Sequence, residues 1–183
     1  MFELARLDSD AIELQLESIP LAELASDIVK EFQWRAEHSG IRLSLQVSDA
    51  DITAHTDLGP IARVLENLTG NAIRHTARDG RVDVRLEALE RRVRVSVVDN
   101  GSGIDPEILP HIFDRWFSAA LDAGPANGSS GLGLAIAQRI LDMHGTSIEV
   151  ESHPGEGKRF SFELPRHAGF ERMARGVENS PAA

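Results

Sequence analysis

Asn67, Asn71, Arg74 and His75 recur at i, i+4, i+7 and i+8, a spacing that brings all four to one face of a helix. Asparagine is a poor helix-interior residue, so two of them one turn apart ask for a reason. An amide oxygen is a hard ligand for Mg2+, and an arginine beside it would complete the wall of a metal-phosphate pocket. The plainer reading is a solvated polar face. A second group, Asp99-Asn100-Gly101-Ser102-Gly103, follows an apolar run. A carboxylate there can accept from an exocyclic amine, and glycines let a flat ring approach the backbone. The same string also serves as a simple strand-to-helix turn. The third, Gly128-Ser129-Ser130-Gly131-Leu132-Gly133-Leu134, opens an amphipathic helix. Glycines ahead of exposed helical N–H groups make a phosphate cradle, or else a hinge and helix cap. It is neither the dinucleotide fingerprint nor the P-loop, because the third glycine and the Gly-Lys-Ser/Thr ending are missing.

These groups need elements to hold them. Ile12, Leu14 and Leu16 alternate with polar residues and predict a first strand. Pro20 opens a helix whose apolar positions run from Leu21 to Phe32 at helical spacing, ended by Ser39-Gly40. Ile41 to Val47 reads as a strand and Ile52–His55 as a short one. A second helix starts near Asp57, its expected N-cap, and buries Ile61, Val64, Leu65, Leu68 and Ala72. Strands around Val82–Leu86 and Val93–Val97 are joined too tightly for a parallel crossover, which predicts an antiparallel pair. A short helix is expected over Asp105–His111, then an irregular stretch through Ser130 whose second half reads as a mobile loop. A third main helix is expected over Gly131–His144, and two closing strands around Ile148–Val150 and Phe160–Leu164. Alternating strands with one polar face predict an α/β chain: a two-layer α/β sandwich, its mixed, mostly antiparallel sheet covered on one face by three main helices.

At 183 residues the chain suits one cored domain, and it has no cysteine, which removes disulfides, thiolate metal sites and a cysteine nucleophile. Its net charge of −10 argues against nucleic-acid binding, which needs a basic surface. That charge also means any phosphate site must bring local cations, backbone N–H groups or a metal. Nothing in the sequence reads as a membrane span or a signal peptide, so the expected setting is cytoplasmic, without direct membrane contact, a setting that also fits the inner part of a membrane-bound sensor.

Taken in order, the motifs resemble the histidine-kinase branch of the GHKL ATPase superfamily, over roughly Ala5 to Pro165. Asn67–Thr76 resembles its N box, Asp99–Ile104 its first glycine box, Ile112–Phe117 its F box, Gly128–Leu134 its second glycine box, and Gly155-Glu156-Gly157 its closing glycine motif. The resemblance implies the Bergerat fold and ATP with Mg2+ as cofactors. It implies that Asn71 holds Mg2+ with help from Asn67, that Arg74 contacts phosphate, and that His75 lies where an aromatic ring usually stands near adenine. Asp99 would accept from the adenine amino group, with Gly101, Gly103 and Ile104 lining the base. Arg115, in a lid, would reach the γ-phosphate, and Gly131, Leu132 and Gly133 would present backbone to the phosphates. The division it implies is a truncated dimerisation-hairpin end over 1–10, the ATP-binding catalytic domain over 11–165 and a flexible tail over 166–183.

Departures from the family pattern are Trp116 for a usual Phe, Ser118 for a basic residue and Lys158 for a threonine. Hydrolytic relatives carry a glutamate as general base at the position of Asn67, and an amide cannot take a proton. Glu66 is turned about 100 degrees away on the helix. Asn67 therefore favours holding ATP intact for an incoming nucleophile, and the resemblance implies transfer of the γ-phosphoryl group to a histidine on another domain. No acceptor-like string surrounds any of the seven histidines: His38, His55, His111, His144, His153 and His167 read as surface or turn residues. The implied partners are the dimerisation and phosphoacceptor domain and a response regulator, within a homodimeric parent whose fragment is expected to be monomeric. Two other classes fit the scaffold: a nucleotide-binding module without turnover, and an anti-sigma-factor-type serine kinase.

Overall fold

The computed structural model describes residues 13–114 and 132–166. The expectations for 1–10, for Arg115 to Gly131 and for 167–183 lie outside the described residues.

Among the described residues, seven strands and three main helices follow one another as β1 (Glu17–Pro20), α1 (Leu21–His38), β2 (Arg42–Val47), β3 (Thr53–Thr56), α2 (Leu58–His75), β4 (Arg81–Ala88), β5 (Arg92–Asp99), α3 (Gly133–Met143), β6 (Glu149–His153) and β7 (Gly157–Pro165). The main sheet has the order β2-β4-β5-β7-β6; β2 and β4 are parallel and every other pair is antiparallel. This is the mixed, mostly antiparallel α/β sandwich that the alternation implied. One face is apolar because Val82, Val84, Leu86, Val93, Val95, Val97, Phe160, Phe162 and Leu164 fall at every second position, and all are buried. The helices answer with Leu21, Ala25 and Ile28 of α1, Ile61, Leu65, Leu68 and Ala72 of α2, and Ile136, Ala137 and Ile140 of α3, which join the same core. Because β2 and β4 run in the same direction, the chain between them must cross over, and α2 lies within that crossover.

Several local expectations are corrected. The first strand is Glu17–Pro20, not the stretch ending at Glu17. Leu16 is 48% exposed, whereas Ile19 is buried and pairs with Ala54 of β3, so the register follows Ile19. These two short strands form a separate two-stranded sheet. Asp57 does precede α2, but its side chain makes no cap hydrogen bond to the helix; it accepts from the Gln15 amide at 2.9 Å. The helix expected over Asp105–His111 is a single 3-10 turn, Leu109–His111. Pro106 and Pro110 remove two amide donors from seven residues, and Asp105 instead accepts from Glu107, Ile108 and Leu109 in a local turn. Arg166, expected in the tail, bridges Ala54 and places its guanidinium 3.4 Å from Asp49.

Candidate functional site

The site forms where the last turns of α2, the loop after β5 and the start of β7 meet. On α2 the buried stripe holds the helix against the sheet, and Asn67, Asn71, Arg74 and His75 follow at its margin, all half-buried. The Asn67 Nδ2 group is buried and has no hydrogen-bond partner among the described residues. α3 comes in beside it: a Cβ added at Gly133 would lie 3.1 Å from Asn67 Oδ1. The first turn of α3 therefore brings its free N–H end to the same region as the two asparagines.

The loop after β5 is fixed from several sides. Ser102 N donates to the His75 carbonyl at 3.4 Å, Gly155 N to the Ser102 carbonyl at 2.7 Å, and Ile104 N to Ser152 Oγ at 2.8 Å. Gly101 passes so close to the end of α2 that a Cβ there would overlap the His75 carbonyl. Gly103 has φ +69, the left-handed region, and its absent Cβ faces the His153 carbonyl. Two far-apart segments, the end of α2 and the β6–β7 turn, are thus held together through glycine backbone.

Between these walls lies a cavity of about 220 Å³, lined by Asn71, His75, Gly103, Ile104, Ile108, Ile112, Leu134, Phe160, Ser102 and Lys158. An apolar slot with a few polar groups at its ends suits a flat ring with a charged tail. Of the residues expected from sequence, Asn71, His75, Gly103 and Ile104 line this cavity directly. Asn67, Arg74, Asp99 and Gly101 belong to the surrounding elements, and Leu132 and Gly133 begin α3. Arg115 and Gly131 lie outside the described residues.

The charged end of the cavity is unlike the rest. Asp99 and Lys158 are direct partners across β5 and β7, and both point inward, in phase with Val97 and Phe160. Their side chains are 0% and 2% exposed, with Lys158 Nζ 3.2 Å from Asp99 Oδ2. Asp99 Oδ1 accepts from the Gly101 amide at 3.0 Å. Oδ2 has no donor in hydrogen-bonding geometry, so the lysine contact there is an ion pair made at a poor angle. Burial pushes the Lys158 ammonium below its ordinary value of 10.5, and the Asp99 carboxylate opposes that shift. A buried acceptor with no donor at the end of an apolar slot fits an incoming N–H group such as the amine of adenine.

Sequence reasoning treated Lys158 only as a departure from a pattern. The signal was in the strand period: Lys158 stands two residues before Phe160 and hence on the same inward face. Glu66, the alternative carboxylate on α2, is engaged by Arg63 at 3.2 Å.

Residues 56–168 match the model of the histidine kinase-, DNA gyrase B- and HSP90-like ATPase family. The chain is 36% identical over 162 residues to the sensor histidine kinase RppB of Synechocystis sp., covering 88% of this chain and 36% of that protein. Among solved structures it is similar to full-length ShkA in complex with AMPPNP, with a TM-score of 0.79 and 33% identity over 90% of this chain and 34% of that one. It is also similar to histidine kinase ThkA in complex with response regulator protein TrrA, with a TM-score of 0.72 and 27% identity over 91% of this chain and 47% of that one. The chain thus spans about a third of the length of the curated relative RppB.

Proposed function

The chain belongs to the histidine kinase-, DNA gyrase B- and HSP90-like ATPase family, and from that membership we propose that it is the catalytic ATP-binding domain of a two-component sensor histidine kinase. It holds ATP for transfer of the γ-phosphoryl group to a histidine on a dimerisation domain. The observation that carries this reading is the convergence of Asn71, His75, Gly103 and Lys158, from α2, the β5 loop and β7, on one apolar cavity.

The roles follow from position. The slot between Ile104, Ile108, Leu134 and Phe160 takes the base and excludes water from it. Asp99 Oδ2 accepts from the base amine. Asn71, with Asn67, supplies amide oxygens for Mg2+, and Arg74 answers phosphate charge. Bound Mg2+ would neutralise charge on the transferring phosphoryl group. The unshared N–H groups of α3, beginning at Gly133, stabilise anionic oxygens, and they matter more in a chain of net charge −10. Asn67, lacking a proton-accepting oxygen of useful basicity, leaves ATP intact until a nucleophile arrives. Arg115 is assigned to the γ-phosphate on the family resemblance alone.

No helix among the described residues is long and apolar enough to cross a membrane. We place the domain on the cytoplasmic side, where ATP is, with a response regulator as the downstream partner; the ThkA–TrrA complex supports that pairing.

The test is transfer of labelled phosphate from ATP to a separately supplied acceptor-hairpin domain. Acid-labile, base-stable label on that domain is expected. Nucleotide uptake with no transfer to a competent acceptor would leave a binding module instead. Label on a serine of a partner would point to the serine-kinase class.

A further inference from the structure

Lys158 lines the cavity, yet none of the roles above uses it. A buried ammonium is costly, and the only partner described for it is Asp99 Oδ2, at a poor hydrogen-bonding angle. The cavity wall beside Asp99 is Lys158, while the carboxylate itself is 0% exposed. An incoming base therefore meets a donor with unused N–H groups immediately beside an acceptor with an unused lone pair. The edge of adenine carries the complementary order, a ring nitrogen that accepts (N1) next to an amine that donates.

We propose that Lys158 is a specificity-determining residue that reads the base directly, its ammonium donating to adenine N1 while Asp99 accepts from the neighbouring 6-amino group. The proposal rests on the adenine-nucleotide reading above and deepens it. As the base enters, the ammonium swings from Oδ2 toward N1, uncovering Oδ2 for the amine. The inward phase of both residues and their direct pairing across β5 and β7 keep the two groups side by side. Burial, which lowers the proton affinity of the ammonium, makes it a better donor still. Asp99 keeps its hydrogen bond from Gly101 throughout, which holds the carboxylate in place.

The test compares calorimetric binding of MgADP with that of its 1-deaza counterpart, in which a C–H replaces N1 and the 6-amino group stays. The unmodified protein should bind the 1-deaza compound at least about tenfold more weakly, the loss of one charge-assisted hydrogen bond. Lys158→Met should bind the two within about twofold of each other. Equal binding by the unmodified protein, or an equal loss in both proteins, overturns the proposal while leaving the nucleotide site standing. Failure of MgADP to bind at all removes both readings together. Should Lys158→Met not fold, the unmodified protein still decides. The chain has two lysines, Lys30 and Lys158, so lysine labelled with 13C at Cε gives two resonances. The Lys158 signal should move with MgADP and stay near its free position with the 1-deaza compound. The same movement with both compounds overturns the proposal.

Discussion

Replacing Asp99 by Asn removes one charge from the buried pair with almost no change of shape, and it keeps the amide oxygen that Gly101 N needs. Lys158 is then left with an ammonium that is 2% exposed and has no counter-ion. Breaking a buried pair this way costs roughly 3–5 kcal/mol. An independent ceiling comes from proton release. A lysine with an ordinary value of 10.5 can escape the penalty at pH 7 by becoming neutral, at about 1.4 kcal/mol per pH unit, or about 5 kcal/mol. The two limits agree. The ceiling falls with pH, to about 2 kcal/mol at pH 9, so the destabilisation should shrink as pH rises. The sign is fixed by protons: in this window the unfolded chain holds one that the folded variant has released, so stability rises with pH until 10.5. The unmodified protein shows the same trend over a narrower window, because Asp99 opposes the lowering of Lys158. The chain has no Tyr or Cys and only one other lysine, so few other groups can contribute to this trend. Urea unfolding followed by circular dichroism at pH 7 and pH 9, for Asp99→Asn, Lys158→Met and the double variant, measures this. The double variant should recover most of the loss, a coupling of about 3 kcal/mol. A single-variant loss below about 1 kcal/mol, or one independent of pH, would show that the pair is solvated and refute the reasoning.

Three further outcomes are expected. Gly101→Ala puts a methyl into the His75 carbonyl, a backbone atom that cannot step aside, and should abolish nucleotide uptake by calorimetry and lower the melting temperature by several degrees. Asn71→Ala, at a half-buried position, should leave the fold within about 1 kcal/mol while cutting the Mg2+-dependent part of ATP affinity at least about tenfold, read by titrations with and without the metal. Gly133→Ala should keep stability within about 1 kcal/mol, since alanine favours a helix, but press on Asn67 Oδ1 and weaken MgATP binding a few-fold.

Much of the layer structure was legible from the sequence because it depends on period alone. Val93, Val95 and Val97, or Phe160, Phe162 and Leu164, can face only one way, and the Glu87–Arg92 connection can join only antiparallel neighbours. The first strand was misplaced because Leu14 and Leu16 alternate as well as Ile19 does; what selects Ile19 is Ala54, a partner 35 positions away. The short helix failed for a local reason, two prolines, that could have been weighed. On the site, helix spacing was enough to group Asn71 with His75, but it could not say that the loop after Asp99 would be tied to the His75 carbonyl. Lys158 was seen as an exchange and not as an ammonium facing Asp99, since cross-strand register is set by the whole sheet and not by either strand.

The crossover between β2 and β4 bears on how this protein can respond to cargo. Chain 48–80 runs from one end of a parallel ladder back to the other, and the buried stripe of α2 packs it onto the core, so α2 behaves as a strut and not as a flap. Asn67 and Asn71 cannot drift apart from the floor of the slot without unzipping the sheet. Accommodation of a bulkier base must then come from the opposite wall of the slot, Ile108, Ile112 and Leu134 among its residues. A variant selected to accept a bulkier nucleotide should accumulate its changes there and leave the asparagine helix untouched.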